Sequence, residues 1–311
     1  MKSILVTGAT QPLGRAVIDE LMRNSVDTIV ATGLEADPQL PKSVHYEAAD
    51  LSHSRQIRRL MLGICREHEI DCIIHLAFHR NPGGRRAERL HVEGTRLLMR
   101  LAEEHPSVTH FVHLSSAEVY AARRDRPDLV REDNPLNFAP SAPTWIRHIV
   151  EADLTLCSRM GMAKVSVAVL RCTEILAPGT GSQLHDYLDA PLCLRPMGFD
   201  PIINILSLHD AARALVLAAI GKHSGVFNIR GHDTLTLSDL IRLRGRTPIP
   251  LPGPFIAPFY RARGTLFHKH FRYELNHWRF HFNSVLDGSR AERLLGYTPQ
   301  HGIDQPTLKS T

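Results

Sequence analysis

The residues that first suggest chemistry are Thr7 to Gly14, "TGATQPLG", directly after the apolar run Ile4 to Val6. A turn at Thr7–Gly8 and a helix starting near Leu13–Gly14 would aim backbone N–H groups and a helix dipole at one spot, which suits a pyrophosphate. Gly8 permits the tight turn, and Gly14 permits close helix–strand packing. Gln11 stands where a small residue usually lets the backbone approach phosphate. Its side chain either covers and hydrogen-bonds the phosphates or blocks their approach. Taken alone, the stretch also reads as a plain strand-to-helix turn. Other chemistries have less behind them. The 19 histidines never fall into HExxH or a comparable spacing, and "HKH" at 268–270 is the nearest approach. The five cysteines include no CxxC pair and several lie in apolar strand patterns, so reduced, buried thiols and a cytoplasmic location are expected.

Elements that could position such a loop follow in order. Strand-like "SILVTG", "DTIVATG", "VHYEAADL", "DCIIHLA", "HFVHLSS" and "KVSVAVLRC" alternate with helical patterns such as "GRAVIDELMRN", "SRQIRRLMLGICREH" and "TWIRHIVEADLTLCSRM". This alternation predicts an α/β fold, a Rossmann-type doubly wound parallel sheet covered on both faces. Residues 1–177 form its dinucleotide-binding part, completed by pieces of 202–230. Residues 178–311, where Pro and Gly break the regularity, form a smaller and discontinuous substrate lobe.

The ordered series "ADL" at 49–51, "DCIIHLA", "HVEGTRLL", "HLSSAEVY", "LRCTEILAPG", "LHDAARA" and "GVFNIRG" resembles the extended short-chain dehydrogenase/reductase superfamily. The likeness is to UDP-galactose 4-epimerase-like, NAD-dependent epimerase/dehydratase proteins, and it runs through "RAERLLGYTP" near the end. It implies a cofactor loop at Thr7, Gly8, Gln11, Leu13 and Gly14. It also implies that Asp50 and Leu51 hold the adenine, with Leu76 and Ala77 lying along the cofactor. The plain alternatives are a helix N-cap for Asp50 and core packing for Leu76. Gly33 falls where an acidic residue usually binds the ribose, leaving Glu35 as a displaced candidate. With no arginine beside it, NAD is preferred to NADP.

In such proteins a Ser or Thr orients the substrate oxygen, a Tyr is the acid/base, and a Lys four residues later lowers the phenol's pKa. Ser116, before "AEVY", matches the Ser, with Ser115 as its neighbour. No YxxxK occurs in the chain. Anchoring the helix on Glu151 puts Pro143 at the Tyr position and Arg147 at the Lys position, so Arg147 keeps a cation but carries no exchangeable proton. Tyr120 is a weak substitute acid, and His148, about 100° round the helix from Arg147, is expected at the surface. His91, Cys172 and Ala177 replace the usual Asn, Pro and Gly. The chain looks closest to a subset of the superfamily that lacks the YxxxK motif.

The resemblance implies that the C-terminal lobe covers a nucleotide-sugar, with Gln183, Arg195, Phe199 and Asp200 as candidates. Asp210 is expected to cap a helix. The aromatic and basic stretch 255–282 reads as a substrate cap, a partner surface or a membrane contact, or as simple packing. A net charge of +5, spread without a block, predicts no nucleic-acid partner. No transmembrane segment is expected, and a homodimer is one expected assembly. Two functions follow: an NAD(P)-binding epimerase/dehydratase-like enzyme with altered catalysis on a nucleotide-sugar or related hydroxylated substrate, or a non-catalytic dinucleotide-binding sensor or scaffold.

Overall fold

A computed structural model of the chain describes residues 2–78, 84–121, 129–162, 164–267, 271–283 and 285–303. The first five strands are β1 (Ser3–Thr7), β2 (Thr28–Gly33), β3 (His45–Ala48), β4 (Cys72–His75) and β5 (His110–Ser116). They are followed by β6 (Leu129–Val130), β7 (Ser166–Cys172), β8 (Glu174–Ile175), β9 (Cys193–Pro196) and β10 (Ile202–Leu206). The last are β11 (Gly225–Ile229), β12 (Asp233–Thr236), β13 (Pro248–Leu251) and β14 (Val285–Leu286). Among the described residues, seven strands pair in parallel in the order β11-β7-β5-β4-β1-β2-β3. The order reverses between β1 and β4, and in an open α/β sheet a crevice opens at the carboxyl ends of those two strands.

Two-residue periodicity makes the two faces. Ile4 and Val6 of β1 point to the side covered by α1 (Pro12–Arg23) and α8 (Leu208–Gly221). Leu5 points to the side of α2 (Ser54–Leu62), α5 (Thr95–Glu104) and α6 (Thr144–Cys157). Between α2 and α5 lie the short helices α3 (Ile64–Glu67) and α4 (Arg85–Glu88). Ala168, Leu170 and Cys172 of β7 join the first face, and Val167 and Val169 the second. Each fully buried Val, Leu or Ile side chain among them contributes roughly 1.5–3 kcal/mol.

Strand β10, from "PIINILSL", pairs with β8 and β12 in a separate three-stranded sheet. After β10 the chain returns to the main sheet: α8 covers it and β11 pairs with β7. The lobe has its own core, in which Tyr187, Tyr260, Phe271, Tyr273 and Phe280 pack together. The buried aromatics of 255–282 are therefore packing residues of that core, whereas residues 268–270 lie outside the described ones. Asp210 is not the cap of α8. Ser207 is, accepting from Asp210 N at 3.1 Å, while the buried Asp210 carboxylate accepts from Gln300 N and His301 N. No helix of the described residues is long and apolar enough to cross a membrane.

Candidate active site

The chain leaves β1 through a hydrogen-bonded staple. Thr7 Oγ1 accepts from Leu76 N at 3.0 Å and Ala77 N at 3.3 Å and lies 2.8 Å from His75 Nδ1. With both lone pairs of Thr7 used, its proton goes to Nδ1, and His75 Nε2–H donates to Thr95 Oγ1 at 3.0 Å. This tautomer is assigned from the network. It fits a ring whose pKa burial drives well below 6.5, with His113 and His91 adding to the shift. Thr7 thus fixes the two strand ends against each other and does not offer a free hydroxyl.

Gly8 has φ of +67°, and a Cβ there would lie 3.1 Å from the backbone of Leu76 and Ala77. A Cβ on Gly14 would lie 2.3 Å from Gly8 O and 2.6 Å from Ala9 Cα. Neither position tolerates a side chain, because the neighbouring atoms are backbone. Pro12 opens α1 and Gln11, its N-cap residue, makes no side-chain cap, so the first N–H groups of the helix remain for another acceptor. Gln11 Nε2 instead donates to Phe78 O at 2.9 Å, tying the loop to the exit of β4.

One cleft runs from this loop towards the C-terminal lobe. Gln11, Leu13, Gly14, Leu76 and Ala77 line its loop end, and Ser115, Ser116 and Thr173 its middle. Ser116 Oγ accepts from Glu118 N at 3.2 Å, and Ser115 Oγ donates to Asp153 Oδ2 at 2.6 Å. Asp50 and Leu51 do not line this cleft. Asp50 Oδ2 pairs with Arg86 Nη2 at 2.8 Å and Oδ1 accepts from Ser52 N at 2.9 Å. Burial pushes the Asp50 carboxyl up, but these hydrogen bonds and the charges of Arg86 and His53 hold it below the usual carboxylate range. Leu51 is buried, with its carbonyl against Gly94. At the end of β2, Gly33 packs against the Thr10 side chain, and Glu35 is exposed.

Arg147 does not reach the cleft. It is exposed, its Nη2 donates to Thr144 Oγ1 at 3.3 Å, and it borders a separate depression with Phe138 and Leu154. The buried acid of α6 is Asp153 rather than the exposed Glu151. Asp153 binds Arg171 of β7 through both oxygens, at 2.7 and 3.0 Å. Counting eight and four residues back from Asp153 gives Trp145 and Ile149, and these two do line the cleft. The register expected from Glu151 is two residues off, and the correction leaves the cleft with an indole and an aliphatic side chain. Trp145 Nε1 is buried without a hydrogen-bond partner among the described residues. His148, expected at the surface, is buried. Tyr120 is also no acid for this cleft: its OH donates to Asn228 Oδ1 at 2.6 Å, and burial pushes its pKa up to about 12.

The far end carries charges that sequence reasoning missed. Arg279 pairs with both Glu118 and Glu174, and all three line the cleft. Gln183, a predicted lobe residue, lines it too and accepts from Asn276 Nδ2 at 3.1 Å. The other three do not: Arg195 donates to Phe199 O at 2.7 Å, and Asp200 accepts from Ser238 N at 2.8 Å.

A family model described as "NAD dependent epimerase/dehydratase family" matches residues 4–190. An uncharacterized protein of Mycobacterium tuberculosis is 28% identical over 309 residues, covering 96% of this chain and 80% of its own. The dTDP-glucose 4,6-dehydratase of Bacillus anthracis, solved in complex with NAD, superposes with a TM-score of 0.73 at 16% identity, over 99% of this chain and 96% of its own. The UDP-glucose 4-epimerase of Thermotoga maritima, solved with UDP-glucose, gives a TM-score of 0.72 at 16% identity, over 98% and 96%. The likeness to these two structures shows the fold.

Proposed function

The chain belongs to the NAD dependent epimerase/dehydratase family, and on that premise we propose that it binds NAD along the carboxyl edge of its main sheet. There it acts on a hydroxylated substrate of the nucleotide-sugar class, without Ser-Tyr-Lys chemistry. The observation that carries this reading is the uncapped start of α1, held close to the ends of β1 and β4 by packing at Gly8 and Gly14 and opening at Gly14 into the same cleft as Ser116. Backbone N–H groups at such a helix start favour an anion. Gln11, Leu13 and Gly14 are the residues for the pyrophosphate, and Leu76 and Ala77 border the path of the cofactor. Asp50, beside Arg86, His53 and Ser52, is the acceptor for an adenine amine, with Leu51 behind it. Bound NAD supplies a hydride acceptor. Ser116 orients a substrate oxygen, and Trp145 Nε1–H, which has no partner among the described residues, is a second donor for it. The exposed Glu35 carboxylate favours NAD over NADP, since a 2′-phosphate would meet like charge.

Calorimetry with NAD and NADP tests the reading. NAD binding is expected to be tighter than NADP binding, and Gly14→Ala to weaken it at least about tenfold, because its Cβ drives α1 away from Gly8. No binding of either nucleotide would reject the proposal. Binding of NAD with no turnover of UDP-glucose or dTDP-glucose would favour a non-catalytic sensor.

A further inference from the structure

We propose that Glu174 is the group that exchanges a proton with a hydroxylated molecule bound in the cleft, the part that no residue of α6 plays in this chain. The proposal rests on the reading of this cleft as a substrate site. The step balances: the substrate O–H breaks and its proton passes to a Glu174 carboxylate oxygen as the C=O double bond forms. The hydrogen on that carbon leaves with its electron pair as hydride, for which a nicotinamide is the acceptor.

The described groups lining the cleft leave few candidates. The Trp145 indole keeps its proton and Ile149 has none to give. His113 is held neutral, its pKa lowered to about 3, chiefly by burial and also by His91. His91 stands edge-on to Phe78, the residue tied to Gln11, and so belongs to the loop end. Serine and threonine hydroxyls orient but do not store a proton near neutral pH, and Arg279 does not release one on the pH scale of such a step. Glu118 and Glu174 remain.

Their arrangement sets a charge imbalance. Arg279, from the turn His277–Phe280, lies between Glu118, from the turn Ala117–Val119, and Glu174 of β8. One guanidinium faces the buried carboxylate of Glu118 and the mostly buried one of Glu174, and holding the surplus negative charge away from water favours uptake of one proton. Glu174 is the better holder. Asp186 of α7 (Gln183–Leu188) adds a further negative field to it, and β8 fixes its backbone through the Glu174↔Ile205 pairing. Ser182 Oγ donates to one of its oxygens and Arg279 Nη1 to the other. Burial raises the Glu174 carboxyl to about 7 and Asp186 adds to this, against the hydrogen bonds from Ser182 and the Leu184 backbone. A bare salt bridge between lobe and sheet would hold Glu174 ionised instead.

The test is a titration of protein carrying ¹³C in its glutamate carboxyls, followed by NMR from about pH 4 to 9, without ligand and then with NAD plus UDP-glucose or dTDP-glucose. One resonance is expected to titrate near neutrality, to be missing from Glu174→Gln, and to move to lower pH in Glu118→Gln, which removes a neighbouring negative charge. A sugar nucleotide is expected to shift that midpoint by about half a unit or more. The proposal is overturned if every glutamate titrates in the ordinary range, if the near-neutral resonance survives in Glu174→Gln, or if neither sugar nucleotide moves it. Calorimetry with NAD on the same samples separates the two readings. A near-neutral Glu174 in a protein that binds no NAD overturns the cofactor reading and leaves the proton site standing.

Discussion

Buried histidines make the main sheet sensitive to acid. His113 is depressed to about 3 and His110 to about 4, both mainly by burial, and His75 lies well below its ordinary value for the same reason. Each stays neutral in the folded chain while its unfolded counterpart takes up a proton near pH 6.5. Between that pH and the folded value the unfolded state binds more protons, so stability rises with pH across the window and is lost on acidification. Well inside the window each such ring contributes a slope of about 1.4 kcal/mol per pH unit. Urea unfolding between about pH 6 and 4 should therefore show a steep loss of stability, and His113→Phe should flatten it by roughly one histidine's share. An unchanged slope in the variant would mean that His113 takes up its proton in the folded protein. Nothing in "HFVHLSS" announces this, because alternation predicts only that every second side chain faces inward, and both faces of this sheet are covered.

At the scale of elements, α6 decides what the cleft can do. The sequence offers two acids on this helix, Glu151 and Asp153, two residues apart and so about 200° apart around the axis. Only burial separates them, and burial depends on Arg171, which arrives from β7 to bind Asp153. The loss of the tyrosine was legible; which residues replaced it was not. Likewise, strand order and the two loop glycines could be read from local pattern, whereas the pairing of Asp50 with Arg86 joins residues 36 apart along the chain. The corrected register makes a direct prediction. Trp145→Tyr with Ile149→Lys places a phenol and an ammonium on the cleft face four residues apart. It should raise NADH formation from a hydroxylated substrate, and general acid–base catalysis of this kind is worth roughly 10²–10⁴-fold. Pro143→Tyr with Arg147→Lys should do nothing for turnover, since those positions face away from the cleft. A gain in the second pair and none in the first would restore the Glu151 register.

For the whole molecule, the same Arg279 that unbalances the cleft also joins the lobe to the main sheet. It comes from a turn whose Phe280 is buried in the lobe's aromatic core, and it ends on Glu118, beyond the carboxyl end of β5. Removing the guanidinium leaves the buried Glu118 and the mostly buried Glu174 with no cation between them. Breaking one side of a buried ion pair costs about 3–5 kcal/mol, so Arg279→Met should be much less stable than the parent above neutral pH. The pH dependence should also change sign relative to the histidine effect. Without Arg279, both carboxyls bind protons more tightly in the folded state than in the unfolded one, where they titrate near 4.3. Folded protein then holds more protons from about that pH up through the raised folded values, and stability falls as pH rises across the window. Arg279→Met should therefore recover part of its deficit as pH is lowered from about 8 towards 6, a range in which the parent gains nothing from its histidines. Thermal unfolding of both proteins at several pH values reads this out. A deficit that stays constant with pH would show that Arg279 acts by packing alone and that Glu118 and Glu174 do not face each other as charges.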